Sequence, residues 1–181
     1  MIVIFDFDKT LVTTDSLGLV FRRHASRWQR CIYFVLKCLS KVGLISVARE
    51  KLLMIRLLFG GDAGRFDRAC RRVAHELVFT PLIDTMKEHF RAGDRVIVLS
   101  ATAQAILEET LGNTDALLIG TVSAVDAQGK ITGFLRHPYA AAKLEAARSE
   151  GITQADLLYY DSRSDESLAP ICLEMKRFSH I

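Results

Sequence analysis

Three short apolar runs, each closing on polar residues, set the rhythm of the chain. Ile2-Val3-Ile4-Phe5 runs into Asp6 and Asp8, Arg95-Val96-Ile97-Val98-Leu99 into Ser100, and Leu157-Leu158-Tyr159-Tyr160 into Asp161. Continuous β-rich runs of this length predict strands buried on both faces. The second and third follow amphipathic stretches, Pro81 to Arg91 and Tyr139 to Ser149, that predict helices. Strand alternating with helix in this way predicts an α/β fold on a Rossmann-like parallel sheet flanked by helices. Ligands of such sheets gather beyond the carboxyl ends of the strands.

Between the first strand and the second the pattern changes. From Asp15 to Phe79 there is no proline, and glycines cluster at two turns, Gly43 and Gly60-Gly61. Leu17, Val20 and Phe21 recur at helical spacing, as do Leu52, Leu53, Ile55, Leu57 and Leu58. Four helices are predicted, with Asp15 or Thr14 as the first N-cap and Asp62 as the last. A small all-helical domain over 15–79 is thus inserted into an α/β core made of 1–14 and 80–181. Further on, Leu117 to Val122 and Lys130 to Phe134 flank Asp126-Ala127-Gln128-Gly129, which predicts a β-hairpin. Glu174 to His180 predicts an edge strand.

Composition sharpens this picture in two ways. With 181 residues, half apolar and a quarter charged, the chain builds one full core and a small insert, which excludes a disordered or disulfide-framed protein. The net charge of +3 does not call for nucleic acid, but it hides a division. Asp15 to Glu76 holds 13 basic and 5 acidic residues, and the remainder 11 basic and 16 acidic. Arg22, Arg23, Arg27 and Arg30 put a basic side on the helical insert beside Trp28. It reads as a solvated face or, alternatively, as one that steers anionic substrates or makes a weak contact with an anionic membrane surface.

Cys31, Cys38, Cys70 and Cys172 lack CxxC spacing and sit in apolar stretches, so buried thiols are expected. The five histidines show no paired metal spacing, and Gly60-Gly61 follows a helix rather than a strand, unlike a nucleotide loop. The apolar run from Cys31 to Leu36 is six residues, far below the ~20 of a membrane span. No basic stretch precedes Ile2, so no signal peptide is expected and the localisation expected is cytoplasmic. The pattern fixes no oligomeric state.

The polar residues at the strand ends carry the chemistry. Taken singly they are ordinary: Asp6 and Asp8 as turn acids, Ser100 as a helix N-cap, Lys143 as surface charge, Asp161 and Asp165 as a cap and a loop acid. Together they bring carboxylates from two strands, a serine and a lysine to one sheet edge. Carboxylates gathered there repel one another unless a cation sits among them. Mg²⁺, held by one or two carboxylates while a substrate phosphate supplies another oxygen, is the natural occupant. A carboxylate can then attack phosphorus, with Lys and Ser taking the equatorial oxygens.

These residues resemble the motifs of the haloacid dehalogenase superfamily, in the phosphoserine-phosphatase-like group with a helical cap after the first strand. The matching motifs, in order, are Asp6-Phe7-Asp8-Lys9-Thr10-Leu11-Val12, Val98-Leu99-Ser100-Ala101-Thr102, Lys143, and Asp161-Ser162-Arg163-Ser164-Asp165. The resemblance covers essentially the whole chain, the cap matching in length and helicity rather than motif. It implies a Mg²⁺-dependent phosphatase acting on a phosphorylated small molecule through an aspartyl phosphate. It makes Asp6 the nucleophile and a metal ligand, and Asp8 the acid and base whose backbone carbonyl also binds the metal. Ser100 and Lys143 would hold the phosphoryl group, Asp161 and Asp165 the metal, and Thr10 would steady the turn. Asp15 would face a substrate amino group or cap a helix. Phosphate transfer to an acceptor alcohol, hydrolysis of a lipid phosphate, and a weakly catalytic binding module stay open at this point. The family places a small residue before Asp161; here Tyr160 is expected to pack into the sheet.

Overall fold

The computed structural model describes residues 1–178. Six strands form one sheet in the order β4-β3-β2-β1-β5-β6. They are β1 (Ile2–Phe5), β2 (Arg95–Ala103), β3 (Leu117–Val125), β4 (Ile131–Arg136), β5 (Ala155–Tyr160) and β6 (Cys172–Arg177). All neighbours run parallel except β3 and β4, which form the predicted hairpin. Asp126 and Lys130 close its turn, and Gly129 supplies the positive φ it needs. From β1 the chain proceeds first to one side, through β2 and β3, then to the other, through β5 and β6. The order therefore reverses at the carboxyl end of β1, where a doubly wound sheet leaves its crevice.

The alternation of side chains sorts the sheet into two faces. Val3, Phe5, Val96, Val98 and Leu157 join one apolar cluster, and Ile4, Ile97, Leu99, Ile119 and Leu158 the other. The second face is covered by α7 (Ala141–Ser149), through Ala146 and Ala147, and by a 3₁₀ helix, Arg163–Ile171, through Leu168 and Ile171. Helices α5 (Leu82–Arg91) and α6 (Gln104–Leu111) join the first cluster through Met86, Ile106 and Leu107. Tyr160 is buried in the second cluster, and Tyr159 stacks on Phe5 with ring centroids 4.7 Å apart. The large residue before Asp161 packs into the sheet as expected. Strand β6 is the predicted edge strand, although 179 and 180 of the predicted span lie outside the described residues.

Between β1 and α5 lie four helices: α1 (Ser16–His24), α2 (Arg27–Lys41), α3 (Val47–Phe59) and α4 (Ala63–Ala74). Asp15 caps α1 by accepting from Gly18 N at 2.8 Å, and Asp62 caps α4 by accepting from Arg65 N at 2.8 Å. Phe21, Met54, Ile55, Phe59 and Phe66 are buried in the same cluster as Val3 and Phe5. The helices thus share a continuous apolar core with one sheet face, each large side chain contributing roughly 1.5–3 kcal/mol by burial. The hairpin ties on from the side, Ile131 N donating to Gly61 O and Ala63 N to Gly129 O.

The buried-thiol expectation is corrected, and the second strand runs further than its apolar residues predict. Cys31 and Cys38 are exposed, Cys172 is half-buried, and of the four only Cys70 is buried. The first two belong to α2, which buries none of its residues because only one side of it leans on α3. Ser100 is not a helix N-cap but part of β2, which continues to Ala103 where it pairs with Thr121 of β3.

Candidate active site

The site begins where β1 stops. Asp6 N still donates to Tyr159 O of β5 at 2.9 Å, and then the chain wraps around one carbonyl. Thr10, Leu11 and Val12 all donate backbone N–H to Phe7 O, with Lys9 at φ 58°. Buried Phe7, Leu11 and Val12 anchor this turn from below. The tight turn carries Asp8 back beside the end of β1, so that Asp6 and Asp8 line one recess. Thr10 steadies the turn through its backbone: its carbonyl accepts from Thr80 Oγ1 at 2.5 Å, while its hydroxyl is buried without a hydrogen-bond partner.

A recess of about 200 Å³ brings together Asp6, Asp8, Asp15, Ser100, Lys143, Asp161 and Asp165. All seven residues singled out from the sequence line it. Lys143, buried near the start of α7, donates to Asp6 Oδ1 at 2.7 Å and pairs with Asp165 Oδ1 at 2.5 Å. Ser100 is buried within β2, its Oγ accepting from Thr102 N at 3.3 Å. Asp8 accepts from Ser16 N at 3.0 Å, and Ser16 Oγ meets Thr102 Oγ1 at 2.6 Å, so the first turn of α1 is tied to both motifs. Asp15 caps α1 and also lines the recess, so the two readings of it are compatible.

The electrostatics are those of a crowded acidic cluster. Burial pushes the Asp6 carboxyl up to about 6, Lys143 pulling it down and Asp165 adding to the rise. Burial and the neighbouring Asp15 push Asp8 up to about 7. Burial and Asp165 also raise Asp161. Burial alone would lower Lys143, but Asp6 and Asp165 outweigh it and hold the ammonium above its usual range.

Carboxylate oxygens of Asp6, Asp161 and Asp165 all lie within 4.8 Å of one another. Such oxygens, with one lysine among them and acids driven toward protonation, fit a hard divalent cation. Without one, folding favours the neutral forms of Asp6 and Asp8. Their contribution to stability is complete below the unfolded value near 3.8 and is lost as pH rises through about 6 and 7. Metal-free protein is therefore expected to lose a few kcal/mol of unfolding free energy between pH 4 and pH 8. Urea titrations in chelator check this; a flat or rising curve would contradict the packing of these acids.

Sequence reasoning missed Lys51, since a lysine on a helix reads as surface charge. Its Nζ donates to Ala101 O at 2.8 Å, one residue beyond Ser100. Burial lowers it to about 8, against the pull of Asp15 and Asp8. It lines a second, larger cleft of about 800 Å³ that shares Asp8, Asp15, Ala101 and Tyr139 with the recess. Among the described residues no helix is long and apolar enough to cross a membrane.

The sequence model of haloacid dehalogenase-like hydrolases matches residues 3–170. The chain belongs to this family. No curated protein matches the chain. Among solved structures of the same fold is a protein of unknown function from Bordetella pertussis Tohama I, with TM-score 0.74 and 19% identity over 92% of this chain and 84% of that one. A phosphoserine phosphohydrolase-like protein from Francisella tularensis subsp. tularensis SCHU S4 has TM-score 0.65 and 17% identity, covering 92% of this chain and 80% of that one. A substrate-bound phosphoserine phosphatase complex has TM-score 0.62 and 23% identity, covering 96% and 83%. The fold and family expected from the motifs are thus shown, and this hydrolase family supplies the setting for the carboxylate cluster.

Proposed function

We propose that the protein is a Mg²⁺-dependent phosphomonoesterase that works through an aspartyl phosphate on Asp6. One observation carries the reading: a buried aspartate within hydrogen-bond reach of Lys143 shares a recess with a second aspartate held near neutral pKa. Asp6 attacks phosphorus, the bond from phosphorus to the leaving oxygen breaks, and Asp8 delivers its proton to that oxygen. Asp8 then takes a proton from water, which attacks phosphorus and frees phosphate and Asp6. Ser100 and Lys143 hold the phosphoryl oxygens as charge spreads over them. The carboxylates of Asp6, Asp161 and Asp165 and the carbonyl of Asp8 would hold Mg²⁺, which when bound supplies positive charge to the phosphate and offsets the acids' mutual repulsion. Helices α1–α4 act as the cap, over 15–79, and the remainder as the core.

The substrate is a phosphorylated small molecule whose leaving group extends into the 800 Å³ cleft. Lys37, Lys41, Lys51, Phe34 and Val47 line that cleft, so the leaving group meets both charge and apolar surface. Leaving-group dependence tests the role of Asp8. Asp8→Asn is expected to slow alkyl phosphate hydrolysis about 100-fold or more, because a poor leaving group needs the proton. The first chemical step on an aryl phosphate should suffer far less, so phosphoenzyme should accumulate in a single-turnover burst. Equal losses of that first step on alkyl and aryl substrates would remove Asp8 from the role of acid.

A further inference from the structure

Helix α2 has an exposed apolar face that the fold leaves unpacked and that meets the substrate cleft at Cys38 alone. Trp28, Cys31, Val35, Cys38 and Val42 recur at intervals of three, four, three and four residues, so they form one stripe along α2 and its C-cap. All five are exposed, and with Leu44 just beyond, the four large apolar members are 53 to 72% exposed. Ile32, Leu36 and Leu39, on the adjoining side, are half-buried. Beside the bare stripe stand Arg27, Arg30, Lys37 and Lys41, and α2 contains no carboxylate. A surface helix in water normally shows a polar outer face. This one shows an apolar stripe with a basic border.

We propose that α2 docks the protein on an anionic lipid surface, the apolar stripe entering the interface and Arg27, Arg30 and Lys41 meeting the headgroups, while Lys37 stays paired with Glu50. An amphipathic helix that lies in a bilayer interface has this composition, with basic residues on one side and aromatic and aliphatic residues on the other. Charge selects this occupant over a second copy of the chain. A twofold contact through α2 would set its basic border against the same border, within a helical segment of 13 basic and 5 acidic residues. Phe34, Lys37, Cys38 and Lys41 also line the 800 Å³ cleft. Docking through α2 therefore sets the cleft mouth beside the lipid surface.

Trp28 is the single tryptophan of the chain, so its fluorescence reports on α2 alone. Phosphatidylcholine vesicles with phosphatidylglycerol are expected to shift its emission to the blue, and brominated lipid to quench it. Phosphatidylcholine alone should do neither, and added salt should weaken the effect. Val35→Asp, which breaks the stripe, and Arg27→Glu, which reverses a border charge, should each weaken vesicle binding about tenfold or more. Both should leave the circular dichroism spectrum and hydrolysis of a soluble aryl phosphate unchanged. Binding that needs no anionic lipid, binding unaffected by folded Val35→Asp, or no binding at all would overturn the proposal. So would a dimer that Val35→Asp dissociates in the absence of vesicle binding. None of these readouts needs catalysis.

Discussion

Asp6→Asn is expected to lower phosphomonoester hydrolysis by about four orders of magnitude while the protein stays folded. In the proposed mechanism Asp6 is the nucleophile, so its loss removes the covalent route and the residual rate reflects binding and electrostatics. The fold should survive because the substitution keeps size and shape at the end of β1. Asp6 N keeps its bond to Tyr159 O, and Lys143 keeps Asp165 as a partner. In metal-free protein the change also removes one negative charge from a cluster where burial already pushes Asp6 toward its neutral form. Hydroxylamine-labile phosphate, formed on the native protein, should be absent from the variant. Hydrolysis within tenfold of native in folded Asp6→Asn would remove Asp6 as the nucleophile and leave the recess without a covalent route.

The legibility of this protein in its sequence follows the strength of local signals. Strands β1, β2 and β5 are continuous apolar runs that no other element explains as well, and the N-caps Asp15 and Asp62 stand where helical periodicity begins. The last third of β2 carries no such signal. Ser100-Ala101-Thr102 spans a register shift between the paired residues Leu99 and Ala103, held by the Thr121 hydroxyl on Ala101 O and by the contact of Ser16 with Thr102. Burial on α2 is illegible in the sequence for a related reason. The run from Cys31 to Leu36 is apolar on every side of the helix, so periodicity could not say which side would be covered.

The site divides in the same way. Asp6, Asp8, Asp161 and Asp165 follow strands, Ser100 follows the apolar run within β2, and topology places them all at one sheet edge. Lys143 stands out only because four motifs occur in order. Lys51 had no sequence signal at all, since what singles it out is a backbone carbonyl 50 residues away in sequence. A group whose meaning depends on a partner brought by folding stays silent until the fold is known.

Lys143 is where electrostatics and stability meet most directly. Its ammonium lies 2.7 Å from Asp6 and 2.5 Å from Asp165, and all three residues are buried. Lys143→Met keeps the length of the side chain and removes the charge, leaving two carboxylates without their shared counter-charge. Breaking a buried pair from one side costs about 3–5 kcal/mol, most of it from the charge left unpaired. Here Asp6 can relieve the strain by binding a proton. The loss should therefore be largest near pH 8, where Asp6 is ionised in the native protein, and smaller near pH 5, below its value of about 6. Mg²⁺ should recover part of the loss at pH 8, since a divalent ion restores positive charge among the same oxygens. Hydrolysis should stay low even then, because the phosphoryl group has lost its ammonium partner. Unfolding titrations in chelator at the two pH values, repeated with Mg²⁺, separate these effects. A Lys143→Met protein as stable as native at pH 8 in chelator would mean that the carboxylates do not crowd around this amine.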